Sequence, residues 1–261
     1  MEGPTSALAA NVTGEQTVRV AAAGDLHVDE SRREEAATAI AAMERDADVI
    51  LLAGDLTTHG EPEQAAILAD ACRDVCKPLI AVLGNHDLHA DRKDEVDDVL
   101  RAAGLIMLDR RNPTAIIGDC RLGVSGVTGF VGGFGAHTLP DFGERSLRDL
   151  YAETGEEVEA LATGLREIAA CPLRIALMHY APTHETLIGE ATEIWSFLGS
   201  ERFAAPILEH RPDLVLHGHA HAGRLQGSLQ GIPVYNVSIP VMGQDYWLFE
   251  LTTERSLSAL H

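Results

Sequence analysis

Short apolar runs alternate with longer amphipathic stretches along this chain, and the alternation constrains its fold more than any other sequence feature. The runs Val18–Gly24, Val49–Gly54 and Pro78–Gly84 predict buried strands. Between them, Ser31–Ala47 and Glu61–Cys76 have the spacing and length of amphipathic helices. Strands separated by helices of this length are joined by βαβ crossovers, so the sheet is expected to be mostly parallel.

The same alternation of apolar runs and amphipathic stretches continues toward the end of the chain. Further elements are predicted as helices near Asp91–Gly104, Glu144–Ala169 and Ser200–His210, as strands over Leu173–His179 and Asp213–Gly218, and as two short apolar strands after them. Two strand-rich halves indicate two sheets packed face to face with helices outside, an α/β fold. Because no low-complexity linker or repeat interrupts the chain, we expect residues 18–261 to form one domain after a flexible segment, residues 1–17.

Charge excludes several classes of function. Twenty Lys and Arg against 40 Asp and Glu give a net charge of −20, whereas 46% hydrophobic residues is ordinary for a folded chain. Such a field repels phosphate backbones and anionic lipid, so neither a stable nucleic-acid coat nor a membrane is an expected partner. No signal-peptide pattern opens the sequence, which predicts a cytoplasmic protein, and the oligomeric state is left open. Cys72, Cys76, Cys120 and Cys171 lack paired spacing and are expected to be reduced thiols.

Side chains that can bind metal ions follow the predicted strands at the point where each strand ends. There are seven of them: Asp25, His27, Asp55, Asn85, His179, His219 and His221. Since ligand sites lie beyond the carboxyl ends of parallel strands, these side chains are expected to converge. Imidazole mixed with carboxylate favours Mn, Fe or Zn over Mg or Ca. Seven donors are too many for one ion, which indicates two ions about 3.5–4 Å apart.

The ordered set of blocks Asp-x-His, Gly-Asp, Gly-Asn-His-Asp, a lone His and Gly-His-x-His resembles the calcineurin-like metallophosphoesterase superfamily. The resemblance runs from about Val18 to His221. It implies a four-layer α/β/β/α sandwich of two mixed β-sheets flanked by helices. It also implies in-line attack on phosphorus by a hydroxide that bridges two transition-metal ions.

The resemblance assigns roles to residues of this chain. One ion would be held by Asp25, His27, Asp55 and His221, and the other by Asp55, Asn85, His179 and His219, with Asp55 as the bridge. His86 would contact the scissile phosphate and protonate the leaving oxygen. Asp87 would orient the His86 imidazole and raise its pKa, as a carboxylate partner generally does.

Other residues near these blocks are candidates for the rim of a substrate pocket. They are His59, His89, Tyr180 and His184. The glycine-rich segment Thr114–His137 is expected to form strand, turn and loop structure, and Gly126–Gly135 is interpreted as a mobile rim. The role of residues 123–135 is left open.

The blocks also bear on the substrate. Protein Ser/Thr phosphatases of the superfamily typically have Gly-Asp-x-x-Asp-Arg-Gly and Gly-Asn-His-Glu, whereas this chain has GDLTTHG at Gly54–Gly60 and GNHD at Gly84–Asp87. The missing arginine removes a phosphate clamp. We therefore expect a phosphodiesterase for a small phosphoester, possibly a nucleotide. A phosphomonoesterase is the main alternative, and a nuclease or a non-catalytic metal-binding scaffold comes after it.

Overall fold

A computed structural model describes residues 17–119, 121–253 and 257–260 of the chain. The expected flexible segment 1–17 therefore lies, except for Thr17, outside the described residues, and so does Cys120. No helix within the described ranges is both long and apolar enough to cross a lipid bilayer.

The strands form two six-stranded sheets. The first contains β1 (Thr17–Ala23), β2 (Val49–Ala53), β3 (Leu79–Val82), β4 (Ile106–Leu108), β11 (Trp247–Thr252) and β12 (Leu257–Leu260). The second contains β5 (Thr114–Ile117), β6 (Leu122–Val127), β7 (Leu173–Met178), β8 (Leu214–His217), β9 (Gln226–Leu229) and β10 (Ile232–Asn236). Their orders are β12-β11-β1-β2-β3-β4 and β5-β6-β7-β8-β10-β9. In the first sheet β1, β2, β3 and β4 are parallel up to the β4 edge, and the two antiparallel pairs lie at the other edge. In the second sheet β6, β7, β8 and β10 form a parallel centre, with one antiparallel pair at each edge.

The helices cover the outer faces of both sheets. They are α1 (Arg33–Asp46), α2 (Pro62–Cys72), α3 (Lys93–Ala102), α4 (Arg145–Glu167), α5 (Trp195–Leu198), α6 (Ala204–His210) and α7 (Ile239–Met242). The first three pack on the first sheet, whereas α4 and α6 pack on the second. A separate core between the sheets includes Leu51 and Ile175, both fully buried. The predicted α/β/β/α sandwich of two mixed sheets is therefore confirmed.

Several element boundaries differ from the prediction. Helix α1 begins at Arg33 because the Asp29 carboxylate caps a preceding 3-10 turn, accepting from the Ser31 N–H at 2.8 Å. Helix α2 ends at Cys72, four residues early. Cys72 and Cys76 are free, as expected, but Cys171 is disulfide-bonded, which contradicts the expectation for that residue.

Candidate metal centre

The loops that follow β1 and β2 run side by side beyond the end of the first sheet. The Asp25 N–H donates to the Gly54 carbonyl at 2.9 Å, and the His27 N–H donates to the Asp55 carbonyl at 3.0 Å. Gly24 joins this pair of loops to the second sheet, because its N–H donates to the Val237 carbonyl at 2.7 Å. Backbone hydrogen bonds thus fix where side chains from both sheets meet.

Four of the predicted metal ligands have a left-handed backbone conformation. Their φ angles are +59° at Asp25, +46° at His27, +50° at Asp55 and +72° at His219. Non-glycine residues adopt this region at a cost of roughly 1–3 kcal/mol each, and such strain concentrates at functional sites. The sharp turns bring these side chains back over the ends of the sheets.

Two glycines leave room for the donor side chains. Gly54 has a φ of +84°, and a Cβ at that position would lie 2.6 Å from Nδ1 of His179. A Cβ at Gly218 would overlap the Asp25 carboxylate. Any larger residue would displace a donor, so these two positions require glycine.

The structure brings the predicted ligands together in overlapping groups whose donor atoms lie within 4.8 Å of one another. The groups are Asp25 with His27 and His221, Asp55 with His27 and His86, and Asp55 with His179 and His219. Asn85 joins the third group, since its Oδ1 lies 2.9 Å from Nε2 of His179. His27 and Asp55 each stand in two groups, and Asp55 is the carboxylate of the two, the residue type expected to bridge a pair of ions. The ligand roles themselves stay predictions.

Hydrogen bonds select the ring nitrogen that each of two histidines can offer to a metal. Nδ1 of His179 donates to the Ala53 carbonyl at 2.8 Å, which leaves Nε2 facing Asn85 and Asp55. Nε2 of His219 donates a hydrogen bond to the Phe197 carbonyl at 3.1 Å, which leaves the lone pair of Nδ1 free to bind a metal ion. Such backbone partners fix the tautomer of metal-binding histidines generally.

The electrostatics of the buried donors also suit a cation. Burial opposes ionisation of Asp55, but the adjacent His179 imidazole holds the pKa of that carboxyl below its usual range. Burial acts to lower the pKa of His179 as well, and the Asp55 carboxylate outweighs it and raises the pKa to about 9. Burial lowers the pKa of His219 to about 4 and keeps that imidazole neutral, as a ligand must be. A proton and a metal ion therefore compete for the same Nε2 atom of His179.

The donor set suits metal cations. Asp25 and Asp55 are each 1% exposed, and a buried carboxylate needs a compensating charge. No lysine or arginine side chain in the described part of the chain bonds or ion-pairs with any of the seven donors. The carboxylates accept from backbone N–H groups, that of His219 at Asp25 and that of His86 at Asp55, and they face imidazoles. Their negative charge therefore has no lysine or arginine partner among the described residues, which suits a bound cation.

His86 lies at the edge of the centre. Its Nδ1 donates to the Thr58 carbonyl at 2.9 Å, and its Nε2 lies 4.0 Å from Oδ2 of Asp55. The imidazole is therefore oriented by Thr58 and points Nε2 toward the donors.

Asp87 does not orient His86, which corrects the predicted contact. Its fully buried carboxylate accepts hydrogen bonds from Leu56 N–H, from Thr57 N–H and O–H, and from Gly84 N–H, at 2.7–3.1 Å. Burial raises the pKa of Asp87, although these donors act in the opposite sense. The residue fastens the loop after β3 to the loop after β2, so we assign it a positioning role.

The predicted rim residues fall into two regions. His89 is exposed and its ring lies 4.3 Å from that of His86, while the exposed His59 acts electrostatically on His89. Tyr180 is 6% exposed and its ring lies 4.5 Å from that of His219.

The fourth rim candidate, His184, is not next to a metal donor. It is exposed, and its ring lies 6.0 Å from Trp195 and 6.4 Å from Phe134. In the glycine-rich stretch, residues 122–127 form the buried strand β6, which agrees with the strand signals expected there, although Gly126 at the start of the expected rim belongs to this strand. Its following residue, Thr128, has a carbonyl that accepts from the N–H groups of His179 and Tyr180.

The sequence reasoning missed Thr58. Besides orienting His86 through its carbonyl, Thr58 donates its hydroxyl to the His27 carbonyl at 2.7 Å. Thr57 and Thr58 lie inside the GDLTTHG block, and that position is the one signal that could have identified them. The carbonyls of Ala53 and Phe197 act through the backbone, so their side-chain identities carry no signal.

Comparison with known proteins agrees with this geometry. Residues 18–223 match the family described as calcineurin-like phosphoesterase, and the chain belongs to that family. Membership supports metal-dependent phosphoester hydrolysis as the class of reaction. No curated protein sequence matches the chain.

Solved structures show the same fold at low sequence identity. Phosphopantetheinyl hydrolase from Mycobacterium tuberculosis is similar with a TM-score of 0.62 and 16% identity, over 85% of this chain and 89% of that chain. GAP50, described as the anchor in the inner membrane complex of Plasmodium, has a TM-score of 0.54 and 12% identity, over 90% of this chain and 81% of its own.

Proposed function

We propose that this chain hydrolyses a phosphodiester of a small substrate, using two transition-metal ions of the Mn, Fe or Zn type. The observation that carries the proposal is the position of Asp55, whose carboxylate lies in two donor groups at once. One ion would be held by Asp25, His27, Asp55 and His221, and the other by Asp55, Asn85, His179 and His219. When bound, the ions would activate water and neutralise charge on the phosphoryl oxygens.

Charge supports a diester over a monoester. Two divalent ions, the two ligand carboxylates, Asp25 and Asp55, and the attacking hydroxide would leave about one positive charge at the centre. A phosphodiester carries one negative charge, whereas a monoester carries close to two near pH 7 and is typically held by arginine forks. Because no arginine or lysine in the described residues contacts these donors, the second charge of a monoester has no protein partner among them.

His86 is the group proposed to protonate the leaving oxygen. Since Nδ1 donates to Thr58, the proton for transfer is carried on Nε2, the nitrogen that faces Asp55. A positioned general acid of this kind contributes about 10²–10⁴-fold to turnover. The Thr58 carbonyl holds the ring in place through this hydrogen bond.

The substrate-partner and location proposals rest on sequence and charge. We propose a small phosphoester as the partner, with neither nucleic acid nor membrane bound stably, and a cytoplasmic location. GAP50 is described as an anchor, so the fold alone does not establish catalysis, and a scaffold is one outcome of the test below.

The test compares bis-p-nitrophenyl phosphate with p-nitrophenyl phosphate after loading with Mn. We expect higher kcat/KM for the diester, and loss of the second metal ion and of turnover in Asp55→Asn. Asp98→Asn is the matched control, because Asp98 is exposed on α3. Preference for the monoester would favour a phosphomonoesterase, and metal binding without turnover of either compound would favour a scaffold.

A further inference from the structure

We infer that the substrate carries a planar aromatic group, an aryl ring or a nucleobase, that packs on an aromatic wall beside the metal centre. The aromatic wall consists of Phe130, Tyr180 and Phe197. This inference rests on the proposed function, because it assigns the organic group that stays beside the phosphorus during diester hydrolysis.

The aromatic wall begins at the metal donors themselves. The Tyr180 ring lies 4.5 Å from the His219 ring and 5.5 Å from the His179 ring. Phe130 meets Tyr180 edge to face at 6.0 Å. The backbone of Phe197 is linked to a predicted metal ligand, because its carbonyl accepts a hydrogen bond from Nε2 of His219.

Packing of the fold does not require the Phe197 ring. The short helix α5 is anchored by Leu198, which is 8% exposed and packs with Phe134 and Leu187. Phe197 on the same helix is 62% exposed. Single exposed apolar residues are common on protein surfaces, but this one is attached to a metal-binding histidine through its own backbone. Its ring is thus exposed on a residue whose backbone is bonded to a predicted metal ligand, and on this ground we include Phe197 in the aromatic wall.

The opposite side of the centre has a different chemistry. There the imidazole wall, consisting of His59, His86 and His89, adjoins the donors through His86, whose ring lies 4.5 Å from that of His27. If His86 protonates the leaving oxygen, the leaving group departs along the imidazole wall. The second ester group of a diester must then lie toward the aromatic wall.

The aromatic wall favours an uncharged flat group. None of its rings has a lysine or arginine stacked on it among the described residues. The cation–π pair found among the described residues joins Arg202 to Tyr151, which is not part of the aromatic wall. Offset and edge-to-face ring contacts favour aromatic groups over alkyl groups of similar size. We therefore expect aromatic selectivity without a second phosphate subsite.

The first experiment measures binding without chemistry. Diphenylphosphinate and dimethylphosphinate each carry one negative charge and have no ester bond, so they cannot be hydrolysed. Titration calorimetry with the Mn-loaded protein should give an affinity for the diphenyl compound about tenfold higher or more, equivalent to about 1.4 kcal/mol. Phe197→Ala should reduce this ratio to below about threefold, and Phe197→Leu should give an intermediate ratio.

The matched control is Phe142→Ala, since Phe142 is 78% exposed and, among the described residues, has no hydrogen bond to a predicted metal ligand, unlike Phe197. It should keep the full ratio. Equal affinities in the unmodified protein, or a ratio that survives Phe197→Ala, would overturn the inference.

The second experiment separates this inference from the proposed function. Methyl p-nitrophenyl phosphate and phenyl p-nitrophenyl phosphate share one leaving group and differ in the retained group. We expect kcat/KM to be about tenfold higher for the phenyl diester, with the preference lost in Phe197→Ala. Equal hydrolysis of both diesters removes only the inference about the aromatic wall. Hydrolysis of neither removes the proposed function, and the inference with it.

Discussion

Two buried carboxylates support the two sides of the metal centre, and they do so differently. Asp87 lies beneath the loops of the first sheet and accepts four hydrogen bonds. Three come from backbone N–H groups and one from the Thr57 hydroxyl. Glu157, on α4 behind the second sheet, accepts one from the Gly129 N–H at 2.8 Å and lies 3.1 Å from Nε of Arg110. The first carboxylate fixes two ligand loops to each other, whereas the second holds the start of the loop that carries Phe130.

The difference has an electrostatic side. Burial raises the pKa of Glu157 to about 7, against the Gly129 N–H and Arg110, which act to lower it. Glu157 therefore changes charge near neutral pH, while the donors around Asp87 give that carboxylate a fixed set of partners. We conclude that the first-sheet side is built for rigidity and that the second-sheet side responds to pH.

The adjacent residues His86 and Asp87 provide the largest contrast, between a group proposed to react and a group that positions loops. His86→Asn should lower turnover of bis-p-nitrophenyl phosphate by about 10²–10⁴-fold, because the proton donor is lost. Metal content, measured on the same sample, should stay at the level of the unmodified protein. Undiminished turnover would refute the acid role.

Asp87→Ala should act on stability. Several buried donors lose their acceptor at about 1–3 kcal/mol each, so we expect the free energy of unfolding to fall by about 3–5 kcal/mol. Urea denaturation measures the change. Asp98→Ala, at an exposed position of α3, should stay within about 0.5 kcal/mol. A loss at Asp87 no larger than that of the control would mean that the loops do not depend on this carboxylate.

Glu157→Gln tests the pH response of the second side. The folded pKa of about 7 lies above the ordinary value of 4.5, so the folded state holds the extra proton between these pH values. The stabilisation from this proton is complete below about pH 4.5 and is lost as the pH rises through about 7, roughly 3 kcal/mol in total. The unfolding free energy of Glu157→Gln should lack this decline. Glu159→Gln, an exposed neighbour on α4, should keep it; identical pH profiles for both variants would contradict the assignment.

The smallest contrast compares two buried threonines. Thr57 donates to the Asp87 carboxylate at 2.7 Å, and Thr154, one turn before Glu157 on α4, donates to the Val131 carbonyl at 2.7 Å. Hydrogen bonds to charged groups are worth about 1.5–3 kcal/mol and neutral ones about 0.5–1.5 kcal/mol. Thr57→Val should therefore cost more unfolding free energy than Thr154→Val in urea denaturation. The reverse order would show that Asp87 is not charged in the folded protein.

The fold and the donor positions could be predicted because both depend on local sequence signals. Strand ends marked by glycine and followed by Asp, Asn or His place donors such as Asp25 and His219 at one edge of the sheets. The partners of Asp87 could not be predicted, since they are largely backbone N–H groups about 30 residues away. Adjacent sequence position favoured His86 as its partner, and the 3-10 turn over His86–Leu88 instead directs the two side chains to different neighbours.

The aromatic wall was also beyond sequence reasoning, apart from Tyr180. Phe197 lies in a four-residue helix that has too few residues for a periodic pattern. Its carbonyl contacts His219, and the neighbouring Gly199 forms an isolated β-bridge with Ala181 outside any strand. Contacts of this kind are set by tertiary packing, which local propensity does not encode.

The proposed role of Asp55 is to join two metal ions in one hydrolytic site. This role can be tested by measuring diester turnover as a function of the number of metal ions bound per chain. Metal-stripped protein is titrated with Mn while hydrolysis of bis-p-nitrophenyl phosphate is followed. We expect turnover to rise to a plateau at two ions per chain, and Asp55→Asn to show neither the second ion nor the turnover. A plateau at one ion, or full turnover in Asp55→Asn, would contradict it.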